Sequence, residues 1–177
     1  IGGGFKAKYM EGDHDANMVD IMDILSSELL SFEEKTSKKV KLEIEPGRLL
    51  VVHAGIIISK VIDITDTGKE GYSFIRVDTG MTEIIRTAMY GAQHPLVVVP
   101  HTEGARGEQE YVVVGHCCES SDCLTTVKGD PESIEPRLLT EAKIGDYLVI
   151  EKTGAYCYGM NALGYNSFPE APVVFVE

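Results

Sequence analysis

The sequence predicts the tail of an α/β barrel followed by an all-β domain, and three observations carry that prediction. Ile1-Gly2-Gly3-Gly4-Phe5 reads as the end of a buried strand running into a glycine turn. A helical repeat and then an alternating strand come next. After about residue 50 the pattern changes to short, Val- and Ile-rich runs separated by turn residues. Strand, glycine turn, helix, strand is the rhythm of an α/β barrel or a doubly wound sheet. Short strands between regular turn signals belong to β-barrels and sandwiches. The expected division is therefore residues 1–50 as the last barrel elements and 51–177 as a β domain with short helices. A domain rarely opens in mid-strand, so the chain is expected to be the C-terminal part of something longer.

The elements follow in order. Residues 6–15 are polar and loop-like. From Asp15 to about Lys35, the residues Met18, Ile21, Met22, Leu25, Leu29 and Phe32 recur every three or four positions, which places them on one helix face. Asp13 or Asp15 is expected to cap this helix. Val40-Lys41-Leu42-Glu43-Ile44 alternates as a strand does, and Glu45-Pro46-Gly47-Arg48 breaks it. Beyond lies the long apolar run Leu49–Ile64. Further strands are expected at Tyr72–Val77, Leu96–Val99, Glu110–Val114, Tyr147–Glu151 and Val173–Val176. Short helices are expected at about Met81–Tyr90 and Ala155–Leu163.

Composition limits the function. With 28 acidic and 16 basic residues the net charge is −12, which argues against nonspecific binding to nucleic acid or anionic membranes. No apolar run approaches the roughly 20 residues needed to span a bilayer. Four cysteines, Cys117, Cys118, Cys123 and Cys157, lack zinc spacing and any sign of export, so at least three of them read as plain reduced thiols in a cytoplasmic protein. No metal site is read. His53, His94 and His101 show no ligand spacing and read as structural.

Several residues carry possible chemistry. Gly2, Gly3 and Gly4 form either an ordinary turn or an anion cradle, since glycine lets backbone N–H groups approach a phosphate. Glu45 and Arg48 form either an internal ion pair or a ligand site, the carboxylate facing a cationic ring nitrogen and the guanidinium a phosphate or carboxylate. Arg86 and Tyr90 fall four apart and share a helix face, suited to a substrate carboxylate; a solvated Arg beside a packed Tyr is the plainer alternative. The loop Gly115-His116-Cys117-Cys118-Glu119-Ser120-Ser121-Asp122 admits a Cys–His nucleophile, a thiol proton donor or a polar loop with a buried Cys. Tyr156 either contacts a ligand or packs.

Taken in order, the segments IGGGF, EPGR, MTEIIRTAMYGAQH, CCESSD and GAYCYGMNALGYNS resemble the C-terminal portion of the diaminopimelate decarboxylase family over nearly the whole chain. These are fold-type III, alanine-racemase-like enzymes that use pyridoxal 5′-phosphate. The resemblance implies a (β/α)8 barrel followed by a β-barrel or Greek-key domain. It implies cofactor contacts from Gly2, Gly3, Gly4, Glu45, Gly47, Arg48 and Tyr156. Glu45 would pair with the pyridine nitrogen. Arg48, Arg86, Tyr90 and Tyr156 would bind substrate, and Glu119 would recognise the distal ammonium of diaminopimelate. Cys118 would protonate the α-carbon after CO₂ loss. Cys118 and Glu119 would act in a neighbouring subunit's site, which implies a homodimer.

This sequence departs from the family pattern at Lys6, Thr87 and the additional thiol of Cys117. None of the eleven lysines stands in the context of the cofactor-bearing lysine, so an N-terminal barrel segment is expected to supply it. The implied reaction is decarboxylation of meso-diaminopimelate to L-lysine, with this chain inactive alone. Its alternatives are an ornithine or arginine decarboxylase, a noncatalytic decarboxylase-like binding module, and a cysteine hydrolase using Cys118.

Overall fold

The computed structural model describes residues 1–176. The chain divides into two compact units, Ile1–Leu50 and Val51–Glu177. The first is organised by helix α1, Met18–Thr36. Its predicted apolar face is the less exposed one. Met18, Ile21, Met22, Leu25 and Leu29 are half-buried, while Phe32 is exposed along with Val19, Ile24 and Leu30. The cap is Asn17, not Asp13 or Asp15: its Oδ1 accepts from the N–H groups of Val19 and Asp20 at 3.1 and 3.4 Å. The two aspartates are used one turn earlier. Asp13 accepts from Met10 N and Asp15 from Lys8 N, which folds the polar loop back on itself.

Neither Ile1–Phe5 nor Val40–Ile44 forms a strand. Alternation supplies a face, but a strand also needs a ladder of backbone partners. Ile1 N donates to Glu43 O at 2.8 Å, and that contact is not extended into a ladder. After Pro46 the chain turns at once into the short helix α2, Gly47–Val51, where Pro is tolerated because the first helical N–H groups have no internal acceptor.

The second unit is a mixed six-stranded sheet. Its strands are β1 Ile57–Asp66, β2 Ser73–Val77, β3 Leu96–Val99, β4 Glu108–Val114, β7 Arg137–Thr140 and β8 Tyr147–Ile150. Their spatial order is β3-β8-β1-β2-β4-β7. The end strands β3 and β7 approach each other, so the sheet nearly closes as a barrel. All pairs are antiparallel except β2–β4, whose connection carries α3 (Arg86–Tyr90) and β3. A separate hairpin joins β5, Thr126–Val127, to β6, Asp130–Ile134. Inward positions alternate as the pleat demands. Val61 faces Val77, Ile75 faces Val113 and Leu148 faces Val98, all within a buried cluster that includes Ile84 and Ile150.

The predicted helix Met81–Tyr90 is shorter than its pattern, beginning only at Arg86. Ala155–Leu163 is not a helix but a series of turns leading to a 3₁₀ turn at Tyr165–Ser167. Gly154, Gly159 and Gly164 outweigh its Ala, Met and Leu content. Val173–Val176 forms no strand and faces solvent, with Phe175 93% exposed.

His94 is buried against the sheet, with Nδ1–H donating to Glu151 O at 3.0 Å. Burial first, and then the charges of Arg86 and Lys152, push its pKa down to about 4. The folded state therefore holds it neutral, whereas the unfolded chain protonates it near pH 6.5. Its contribution is present above pH 6.5 and is lost as the pH falls toward 4, about 3 kcal/mol in all. Urea midpoints from pH 7 to 4 should show this loss, and His94→Gln should flatten it. An unchanged slope in the variant would refute the assignment.

Candidate functional site

In the first unit the glycine turn lies against the Glu45 segment. A Cβ on Gly3 would stand 2.8 Å from Glu45 O, so only glycine fits there. Gly4 has φ of 92°, a conformation that glycine adopts without strain. Gly2 lies beside the Glu45 carboxylate, where its Cβ would be 3.7 Å from Oε2. Gly2, Gly3, Gly4, Glu45 and Gly47 are exposed. The Arg48 guanidinium is not in an ion pair with Glu45, and its buried Nε has no hydrogen-bond partner. Two segments thus bring a bare backbone turn, an exposed carboxylate and a guanidinium with an unsatisfied Nε into the first unit. Their chemistry fits an anionic, phosphate-bearing ligand.

In the second unit the structure brings Arg86, Tyr90 and Tyr156 together. The guanidinium carbon of Arg86 is 5.8 Å from the Tyr90 ring centre and 5.4 Å from that of Tyr156. The helical spacing sets the first contact. The second depends on the loop after β8, where Tyr156 has φ of 61°. That conformation is strained for a tyrosine, and such strain gathers at ligand sites. Arg86 Nε is buried without a hydrogen-bond partner, and both tyrosines are about half exposed.

The third group is the loop after β4. Cys118 and Glu119 are exposed, and Cys117 is partly covered. The loop is organised by Asp122, whose carboxylate is buried. Its Oδ1 accepts from Met81 N at 2.7 Å and its Oδ2 from Cys117 N at 2.8 Å. A Cβ on Gly80 or Gly115 would lie within 2.4 Å of that carboxylate, so both glycines are needed to seat it. Burial raises the pKa of Asp122, opposed by these N–H donors. The Cys117 thiol turns inward to Asp122. Burial and that charge push its pKa up to about 12, so it stays protonated and inert.

Glu119 is the opposite case. A bond from Ser121 N and one from Tyr165 OH at 3.0 Å hold its carboxyl below the usual range. It is therefore a solvent-facing anion next to the Cys118 thiol. His116 is placed otherwise than a Cys–His pair requires. Its Nε2 meets Thr82 Oγ1 at 2.7 Å, and its ring stacks on Phe168 at 3.7 Å.

The backbone of Met81 ties the second and third groups into one framework. Its N–H bonds Asp122 and its carbonyl accepts from Ala162 N at 3.1 Å, in the loop that carries Tyr156. Sequence reasoning left Asp122, Tyr165 and Asn166 without roles. The only signal for them was their presence in the CCESSD and YNS segments.

Comparison with known proteins identifies the family of this chain. Residues 16–154 match the family model described as the C-terminal sheet domain of pyridoxal-dependent decarboxylases. Diaminopimelate decarboxylase of Escherichia coli K12 is 35% identical over 99% of this chain, which covers 41% of that relative. The chain thus spans about two-fifths of the length of that relative. A crystal structure of diaminopimelate decarboxylase superimposes with a TM-score of 0.85 at 34% identity, over 96% of this chain and 40% of the other. The Helicobacter pylori enzyme complexed with L-lysine gives 0.73 at 29% identity, over 93% of this chain and 36% of the other. A nearly closed sheet framing the Arg86 and Cys118 groups, matched by a family model over residues 16–154, places this chain in the pyridoxal-dependent decarboxylase family, whose C-terminal sheet domain it contains.

Proposed function

We propose that the complete protein decarboxylates meso-diaminopimelate to L-lysine with pyridoxal 5′-phosphate. The observation that carries this reading is the pairing of an exposed thiol, Cys118, with an adjacent exposed carboxylate, Glu119, whose pKa is held down. A decarboxylase needs a proton donor for the carbon that loses CO₂. A substrate with a second amino group needs an anion to recognise it. The relatives named above, 29–35% identical over almost the whole chain, support the same choice.

The first unit fits the cofactor: Gly2, Gly3, Gly4 and Gly47 would face its phosphate, with Arg48 supplying the cation. When bound, the cofactor supplies an electron sink for the pair left behind by CO₂. Glu45 would keep a proton on the ring nitrogen by pairing with it. Arg86, flanked by Tyr90 and Tyr156, would hold a substrate carboxylate. A buried, unsatisfied guanidinium Nε favours such a partner. Arg48 and Tyr156 would also contact substrate. Cys118 would deliver its proton to the α-carbon, and Glu119 would accept the distal ammonium.

Residues 1–50 would be the last elements of an alanine-racemase-like (β/α)8 barrel, and 51–177 a β domain with Greek-key connections. An N-terminal barrel segment would provide the cofactor lysine. A homodimer with shared sites would bring Cys118 and Glu119 to a neighbouring subunit. The setting would be the cytoplasm. No helix among the described residues is long and apolar enough to cross a membrane.

Release of CO₂ by the full-length protein from meso-diaminopimelate, ornithine and arginine tests the reading. The expected result is cofactor-dependent release from diaminopimelate, with the others at least about tenfold poorer in kcat/KM. Preference for ornithine or arginine would replace the substrate. Release from none of them would replace the enzyme by a binding module.

A further inference from the structure

The segment Gly164–Ser167 is strained, and two of its side chains reach the two residues on which the proposed chemistry turns. Asn166 and Ser167 have φ of 51° and 64°, and Gly164 has φ of 72°. Left-handed backbone is unusual for residues other than glycine, and two in succession need something to hold them. Asn166 Oδ1 accepts from Cys118 N at 2.8 Å, across 48 residues of sequence. Tyr165 OH donates to Glu119 Oε2 at 3.0 Å, across 46 residues. Cys117 N is held from the other side by Asp122 Oδ2 at 2.8 Å. Consecutive N–H groups are thus gripped from two directions. That fixes the peptide planes on both sides of Cys117 and, with them, the direction in which the exposed Cys118 side chain leaves the loop.

We propose that Asn166 and Tyr165 are positioning residues of the decarboxylase site, Asn166 aiming the Cys118 thiol and Tyr165 orienting the Glu119 carboxylate. The proposal rests on the functional reading above and deepens it. The division of labour follows from the bonds. The bond that Asn166 makes to the loop is to backbone, so its effect reaches the reaction through where Cys118 points. Tyr165 touches the carboxylate that would meet the distal ammonium. It occupies Oε2, while Oε1 lies 3.4 Å from Ser120 Oγ and from Ser121 N. One face of Glu119 is therefore preset before any substrate arrives.

The test uses the full-length, cofactor-loaded protein and three variants. Asn166→Gly keeps the left-handed backbone available and removes the amide. Asn166→Asp keeps both the backbone tolerance and an acceptor oxygen. Tyr165→Phe removes only the hydroxyl. Asn166→Gly should lower kcat about tenfold with little change in KM, and Asn166→Asp should recover most of it. Tyr165→Phe should raise KM for meso-diaminopimelate about tenfold with little change in kcat.

If the wild type decarboxylates diaminopimelate but both losses stay within about twofold, the positioning proposal is overturned alone. Equal falls in kcat that track a loss of folded protein, without rescue by Asn166→Asp, would also overturn it. A wild type without that activity overturns the functional reading and the proposal together.

Discussion

Cys118→Ala in the full-length, cofactor-loaded protein is expected to lower kcat by about 10²–10⁴-fold, the range for removing a positioned general acid. KM for meso-diaminopimelate should change far less, because Glu119 and Arg86 would bind the substrate through groups the substitution leaves intact. The neighbouring thiol makes this a controlled experiment. Cys117 is one residue away, yet it turns inward to Asp122, and burial with that charge lifts its pKa to about 12. It is in the wrong direction and too weak an acid to take over. Cys117→Ala should therefore leave kcat within about threefold. A larger loss from Cys117→Ala than from Cys118→Ala would reverse the assignment of the proton donor.

The second large effect concerns stability. Asp146→Ala is expected to cost about 3–5 kcal/mol, the range for leaving one partner of a buried ion pair uncompensated. Arg106 and Asp146 meet at 2.9 Å with side chains only 5% and 2% exposed. Asp146 also accepts from His101 N at 2.8 Å and Lys143 N at 2.7 Å. One carboxylate thereby joins the chain leaving β3, the approach to β4 and the turn before β8. Burial alone would raise its pKa. The bonds from His101 N, Arg106 and Lys143 N outweigh it and hold the carboxyl below its ordinary 3.8. A depressed folded pKa means stability that is present above pH 3.8 and lost as the pH falls through the folded value. Chemical denaturation at pH 7 measures the first effect. The paired replacement Arg106→Met with Asp146→Leu should recover the part of the loss due to the lone buried charge, but not the part due to the His101 and Lys143 N–H groups, which stay without their acceptor. A single variant within about 1 kcal/mol of wild type would show the pair to be dispensable.

What could be read from the sequence depended on where each signal lay. Leu96–Val99 is a strand as predicted, because four apolar residues between Pro95 and Pro100 leave few other choices. Strand β7, Arg137–Thr140, was missed: it follows Pro136, carries two adjacent leucines and shows no alternation. Strand β6 was hidden by its opening Asp130-Pro131, which reads as a turn. In the first unit Val40–Ile44 alternates yet has no ladder, since pairing depends on neighbours that alternation does not reveal.

The site divides in the same way. The Arg86–Tyr90 contact follows from helical spacing. The approach of Tyr156 to Arg86 and the bond from Cys118 to Asn166 span long stretches of chain, and no local pattern encodes them. Asp122 was legible as an acid in a polar loop, but not as the buried acceptor around which that loop folds.

The position of β8 between β3 and β1 has a consequence for biogenesis. Strand β1 begins the second unit, and β8 is the last strand to be made, yet β8 pairs with both β1 and β3. Until Tyr147–Ile150 leaves the ribosome, β1 and β3 each present an unpaired edge: Leu96–Val99 of β3, and the Ile57–Lys60 part of β1 that β2 does not pair. Loop closure over so long a separation is slow, and waiting edges invite pairing with other chains. Synthesis halted just before residue 147 should yield a nascent chain dependent on chaperones, whereas a chain extended far enough for the strand to clear the ribosome should fold.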